Sequence, residues 1–157
     1  MTQIIHLRKK NTTKWFRDLR NLICKDFEYF ENNNAKKKIK FTRSKWKKSK
    51  IKSEGGGEIS ILRNGNIFEK VGVNISVVNG RFDKNFKNKI PGTKKSSKFW
   101  ASGISVVAHF QNPKIPSLHF NTRYIITSKE WFGGGMDVTP CIKDDKQKKY
   151  FHQELKK

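Results

Sequence analysis

Two His, one Asn, one Arg and one Ser stand out from a chain dominated by Lys, because strand alternation can bring them to a single surface. Residues 117–127 read as a β-strand, and alternate side chains of a strand share a face. His119, Asn121 and Arg123 then share one face, while Leu118, Phe120, Thr122 and Tyr124 share the other. In a second candidate strand, 103–110, Ser105, Val107 and His109 share a face. An antiparallel hairpin with His109 opposite His119 would set Val107 against Asn121 and Ser105 against Arg123. The connection 111–116 is too long to dictate that register, which is therefore an expectation. A plain solvated face in this chain would be expected to carry Lys, yet these positions carry none. Arg grips a carboxylate through two hydrogen bonds. His exchanges a proton near neutral pH or ligates a metal. The set suits an anionic, proton-exchanging ligand.

The elements that must position these residues follow from periodicity. Trp15, Phe16, Leu19, Leu22, Ile23, Phe27 and Phe30 recur at spacings of three and four, which predicts an amphipathic helix over 13–31 packed against a sheet. Asn11, Thr12 and Thr13 are its cap candidates. The basic segment 35–53 has no acidic residue and carries Ile39, Phe41, Trp46 and Ile51. Interleaved basic and aromatic residues can stack on single-stranded nucleic acid. One Phe and one Trp are thin support for that, and the segment reads as a strand or loop with a solvated basic edge. Gly55, Gly56 and Gly57 are followed by Glu58-Ile59-Ser60-Ile61-Leu62, not by the Lys and Ser or Thr of a phosphate loop, so a strand is predicted there. Further short strands are expected at 58–63, 67–70 and 74–78, with Asn64-Gly65 and Asn79-Gly80 as turns. Residues 81–98 are polar and read as a mobile loop, and the tail from Asp144 to Lys157 reads as helical.

Composition sets outer bounds. The chain has 157 residues, 34% hydrophobic and 31% charged, with a formal net charge of +22. One domain spanning 1–157 is the expectation at that length. The charge would suit a nucleic-acid or anionic-membrane partner. Lys is accompanied by abundant Asn and Ile, however, and the three share A- and T-rich codons. Accumulation of Lys at tolerant surface sites is the favoured reading, and no specific nucleic-acid partner is expected. No apolar run approaches the ~20 residues of a membrane helix. The first ten residues offer only Ile4, Ile5 and Leu7 as an apolar patch, too short for a signal-peptide core. Cys24 and Cys141 form no CxxC pair, so neither zinc nor a disulfide framework is indicated and a cytoplasmic location is expected.

Several long motifs, in order, resemble the oxygen-dependent coproporphyrinogen III oxidases. They are Gly55-Gly56-Gly57, the run from Asn64 to Ser76 (NGNIFEKVGVNIS), Gly103-Ile104-Ser105, the run from Asn112 to Tyr124 (NPKIPSLHFNTRY) and the run from Trp131 to Pro140 (WFGGGMDVTP). The resemblance spans nearly the whole chain, from the Trp15 helix to Phe151-His152.

It implies an α+β fold, a large antiparallel β-sheet flanked by helices, of which this chain supplies several strands and two helices. It implies aerobic oxidative decarboxylation of two coproporphyrinogen III propionates to vinyl groups, giving protoporphyrinogen IX in haem biosynthesis. Molecular oxygen would be the co-substrate, with no flavin or nicotinamide. By position, His119 matches the family's proton donor, and Ser105, Asn121 and Arg123 match substrate contacts, with Arg123 the propionate anchor. Asp137 falls where an acid could accept from pyrrole N–H groups. His109, His119 and His152 match three of four His assigned either as ligands of a divalent metal or as a proton relay without one.

The family forms homodimers and continues for roughly as long again beyond Lys157. This chain is therefore expected to be impaired alone or to need a complementary chain. The rival expectations are a non-catalytic porphyrin-binding remnant and, with less support, a basic nucleic-acid binder.

Overall fold

The computed structural model describes residues 2–33, 35–86 and 89–156. Helix α1 (Thr2–Asn32) is followed by strands β1 (Thr42–Lys47), β2 (Gly55–Arg63), β3 (Phe68–Arg81), β4 (Lys98–Phe110), β5 (Ser117–Ile126) and β6 (Glu130–Thr139), and by helix α2 (Asp145–Glu154). The six strands form one sheet in sequence order, every pair antiparallel. This is the expected α+β arrangement.

One face of the sheet is the core. Val71 and Val73 of β3, Ile104, Val106 and Ala108 of β4, and Leu62 of β2 are buried beneath α1. The helix presents Phe16, Leu19, Ile23, Cys24 and Phe27 to them at helical spacing. Burial of Phe16 alone stabilises by roughly 1.5–3 kcal/mol. Two polar contacts lock the helix in place. The Arg20 guanidinium, 3% exposed, donates to Glu58 Oε1 at 2.5 Å and to Ser60 Oγ at 3.1 Å. The Glu31 carboxylate accepts the backbone N–H groups of Asn66, Ile67 and Phe68, clamping the β2–β3 turn to the end of the helix. Asn64 supplies the left-handed residue of that turn, φ 55°.

The structure corrects several expectations. Helix α1 starts at Thr2, so Asn11, Thr12 and Thr13 are not caps; Thr12 Oγ1 instead donates back to the Arg8 carbonyl at 2.7 Å inside the helix. The first turns are held by tertiary contacts, with Arg8 paired to Glu130 and Lys9 Nζ 5.3 Å above the Trp100 ring. Trp15 and Leu22 are about half exposed. At 100° per residue they fall off the face defined by Phe16 and Ile23. Residues 68–81 form one long strand where two short ones were expected, so Asn79-Gly80 lies within β3 and is no turn. Strand β6 carries Gly133, Gly134 and Gly135 and was not anticipated, because Gly weakens strand propensity and leaves no alternation to read.

Two other readings stand. The basic segment does supply an edge strand, β1. The tail is helical, with Asp144 as N-cap accepting from the Lys146 and Gln147 N–H groups. The expected loop 81–98 is shorter at both ends, since Arg81 closes β3 and Lys98 opens β4; between them lie a short 3-10 turn, Lys84–Phe86, and a buried Thr93. Cys24 is buried and Cys141 exposed, and both are free thiols. None of the described helices is long and apolar enough to cross a membrane.

Candidate active site

The opposite face of the sheet carries the polar set. Alternation places Ser105, Val107 and His109 of β4 on this open face, with His119, Asn121 and Arg123 of β5 and Asp137 of β6. The register differs from the expected one by two residues. Val107 pairs with His119, Ser105 with Asn121, and Gly103 with Arg123. A two-residue slip keeps every side chain on its own face, so the grouping survives although the partners change. The β4–β5 turn accounts for the shift. Asn112 accepts the Ile115 N–H at 3.0 Å, and Ser117 Oγ lies 3.1 Å from His109 Nδ1, so His109 pairs with the start of β5 and not with His119.

Two small constellations result. In the first, His119 Nδ1 lies 2.9 Å from Asp137 Oδ1, directly across the β5–β6 pair, and Asp137 Oδ2 accepts from Thr139 Oγ1 at 3.3 Å. A carboxylate accepts only, so Nδ1 carries the proton in this contact, and Nε2 is the ring nitrogen turned away from Asp137. The imidazole is 41% exposed, open to a ligand resting on the sheet.

In the second constellation, Arg123 donates to Asn121 Oδ1 beside Ser105. Ser105, Asn121 and Arg123 line a cavity of about 300 Å³ on the open face. Its other end is apolar, with Val78, Ala101, Ile125 and the stacked Phe82–Phe99 pair, ring centroids 4.4 Å apart. Gly103 lines this cavity, and Gly72, Gly133 and Gly135 alternate onto the same face beyond it, while Gly57 lies under the Trp46 ring. A cavity with a cationic, hydrogen-bonding margin and an apolar end suits a carboxylate-bearing ligand with an apolar body.

The three His are not brought together. His109 is held by Ser117 and His119 by Asp137. His152, on α2, lines another cavity, of about 700 Å³, with Leu118, Met136 and Val138 and also with Asp137, the partner of His119, but not with His109 or His119. Among the described residues, no three His, Cys, Asp or Glu side chains are grouped closely enough to hold a metal ion. Among the described residues, His109, His119 and His152 therefore do not converge on one metal centre. Reasoning from sequence missed one contact at the site. Trp46 of β1 donates its indole N–H to Asn74 Oδ1 at 2.8 Å, beside Ser105. Alternation in the 74–78 run could have placed Asn74, but nothing local could have brought Trp46 across β2.

The fold is thus an antiparallel sheet covered by a helix on one side and bearing, on the other, a His119–Asp137 pair and a Ser105–Asn121–Arg123 cluster. The comparisons narrow it. The coproporphyrinogen III oxidase family model matches residues 11–157. The chain is 48% identical to the oxygen-dependent coproporphyrinogen-III oxidase of Rickettsia akari (strain Hartford) over 152 residues, covering 94% of this chain and 53% of that protein. It is likewise 48% identical over 157 residues to that of Rickettsia bellii (strain OSU 85-389), covering 96% and 55%. The chain belongs to the coproporphyrinogen III oxidase family. It spans about half the length of the curated relatives it matches.

Proposed function

We propose that this chain takes part in the aerobic oxidative decarboxylation of coproporphyrinogen III, on the open face of the sheet. The observation that carries the proposal is the joint placement of the His119–Asp137 dyad and the Ser105–Asn121–Arg123 cluster on one face of adjacent strands. Per propionate, R–CH2–CH2–COO⁻ yields R–CH=CH2, carbon dioxide, one proton and two electrons, and molecular oxygen accepts the electrons.

Within this chemistry Arg123, with Asn121 and Ser105, anchors a propionate by charge-assisted hydrogen bonds. His119 exchanges a proton at Nε2 while Asp137 holds its tautomer. A carboxylate has lone pairs to spare, so Asp137 can also accept pyrrole N–H groups. No step is assigned to a metal, because the described residues do not group three ligands for one. A homodimeric or otherwise partnered state, and a cytoplasmic location, accompany the proposal as family expectations.

The test is anaerobic binding of coproporphyrinogen III to the purified chain, then admission of oxygen and detection of protoporphyrinogen IX. Binding followed by product supports the reading. Binding without product reduces the chain to a porphyrinogen-binding module. A folded chain that does neither refutes it.

A further inference from the structure

Beyond the cluster named so far, the open face holds a second amide whose orientation is dictated by a neighbour that can only donate. Asn74 of β3 pairs in register with Ser105 of β4, which pairs in register with Asn121 of β5. The three thus form a row across adjacent strands, and all three line the same cavity of about 300 Å³. The two ends of the row are fixed by the same logic. An indole N–H has no acceptor capacity, so the Trp46 contact at 2.8 Å requires the amide oxygen of Asn74 to face Trp46. A guanidinium is likewise donor-only, so the Asn121 oxygen must face Arg123.

With both oxygens engaged, each amide turns its NH2 group away from its partner, and among the described residues no side chain or backbone group accepts from the Asn74 NH2. The Ser105 hydroxyl sits between the two amides and can donate as well. The row is therefore biased toward donors, with a guanidinium at one end. A carboxylate can accept from all of these groups, whereas an ester or amide carbonyl offers fewer lone pairs and no charge.

Trp46 reaches Asn74 by crossing the intervening strand at a glycine. A Cβ on Gly57 would lie 2.7 Å from the Trp46 ring, so any side chain there displaces the indole.

The geometry assigns Asn74 as a further contact to a ligand carboxylate, donating through its amide NH2, and Trp46 as the positioning residue that sets the orientation of that amide. The assignment rests on the reading of the open face as the site of a carboxylate-bearing porphyrinogen, and it adds a second point of carboxylate recognition two strands away from Arg123.

The experiment is fluorescence or absorbance titration of the full chain with coproporphyrin III, a stable tetracarboxylate, and with its tetramethyl ester, both in the same dilute detergent. Wild type is compared with Asn74→Ala, Asn74→Asp, Trp46→Phe and Arg123→Ala, with thermal unfolding of each variant recorded alongside. Loss of one charge-assisted hydrogen bond weakens free-acid binding roughly tenfold in Asn74→Ala. Asn74→Asp keeps an acceptor for the indole but repels the ligand, so it weakens binding more. Trp46→Phe keeps the ring and loses the N–H, and weakens free-acid binding a few-fold. Ester binding stays unchanged in all three, which a merely structural role for Trp46 or Asn74 would not produce.

Equal losses for acid and ester, or unchanged acid binding in Asn74→Ala while Arg123→Ala loses it, overturn the assignment and leave the proposed site standing. Absence of acid binding by the folded wild type overturns both. Should one variant fail to fold, the acid-to-ester ratio of the remaining Asn74 or Trp46 variant decides.

Discussion

The two faces of the sheet are built from the same strands and differ in almost everything else. On the helix-covered face Val71, Val73, Ile104, Val106 and Ala108 are nearly inaccessible, and their worth lies in the apolar area they remove from water. On the open face their immediate chain neighbours are mostly small or polar, Gly72, Asn74, Gly103 and Ser105, and the apolar one among them, Val107, is 37% exposed. A period of two lets one strand serve stability and recognition at once, with little interference between them. The open face can carry Gly and uncompensated polar groups because the covered face supplies the packing.

That division can be broken or sharpened by substitution. The largest effect is expected from Phe16→Ala on the covered side, which should destabilise the chain by about 3–5 kcal/mol in denaturant titration by leaving a cavity under α1. Any ligand binding should weaken only in proportion to the unfolded fraction.

Next comes Arg123→Ala on the open side, which should weaken coproporphyrinogen III binding roughly ten- to a hundredfold while leaving thermal unfolding nearly unchanged. A large fall in the unfolding temperature would show that the two faces are not independent.

A smaller effect, of a few degrees, is expected from Glu58→Gln, and it should depend on pH. The hydrogen bond from Arg20 holds the Glu58 carboxyl below its ordinary value of 4.5. A carboxyl whose folded value is depressed contributes stability above its unfolded value and loses it as pH falls through the folded one. The gap in unfolding temperature between wild type and Glu58→Gln should therefore be full at pH 7 and shrink below about pH 4.5. A gap that stays constant into acid would remove the ion pair as its cause. The smallest effect on binding is expected from His119→Ala, which should retain affinity and lose turnover wherever turnover is measurable. A loss of affinity as large as that of Arg123→Ala would recast His119 as an anchor.

How far the site could be read in advance follows from which interactions are local. The grouping of Ser105, His119, Asn121 and Arg123 on one face depends only on strand alternation, and it survived an error of two residues in the pairing. The His119–Asp137 contact could not be derived that way, since it required β6, a strand hidden by its glycines. The start of α1 was likewise out of reach, because Arg8 and Lys9 find their partners, Glu130 and Trp100, some ninety residues or more further along the chain.

By itself, then, the sequence determined the family, the alternation of apolar and polar positions, and the residue types available for anion binding and proton exchange. These are properties of neighbours along the chain, repeated at periods of two and of three to four. The tertiary structure alone decided the register of β4 against β5, the separation of His109, His119 and His152, and the reach of Trp46 across Gly57 to Asn74. The reason is that hydrogen-bond ladders and side-chain partners between strands depend on turn geometry and long-range packing, which no local pattern encodes.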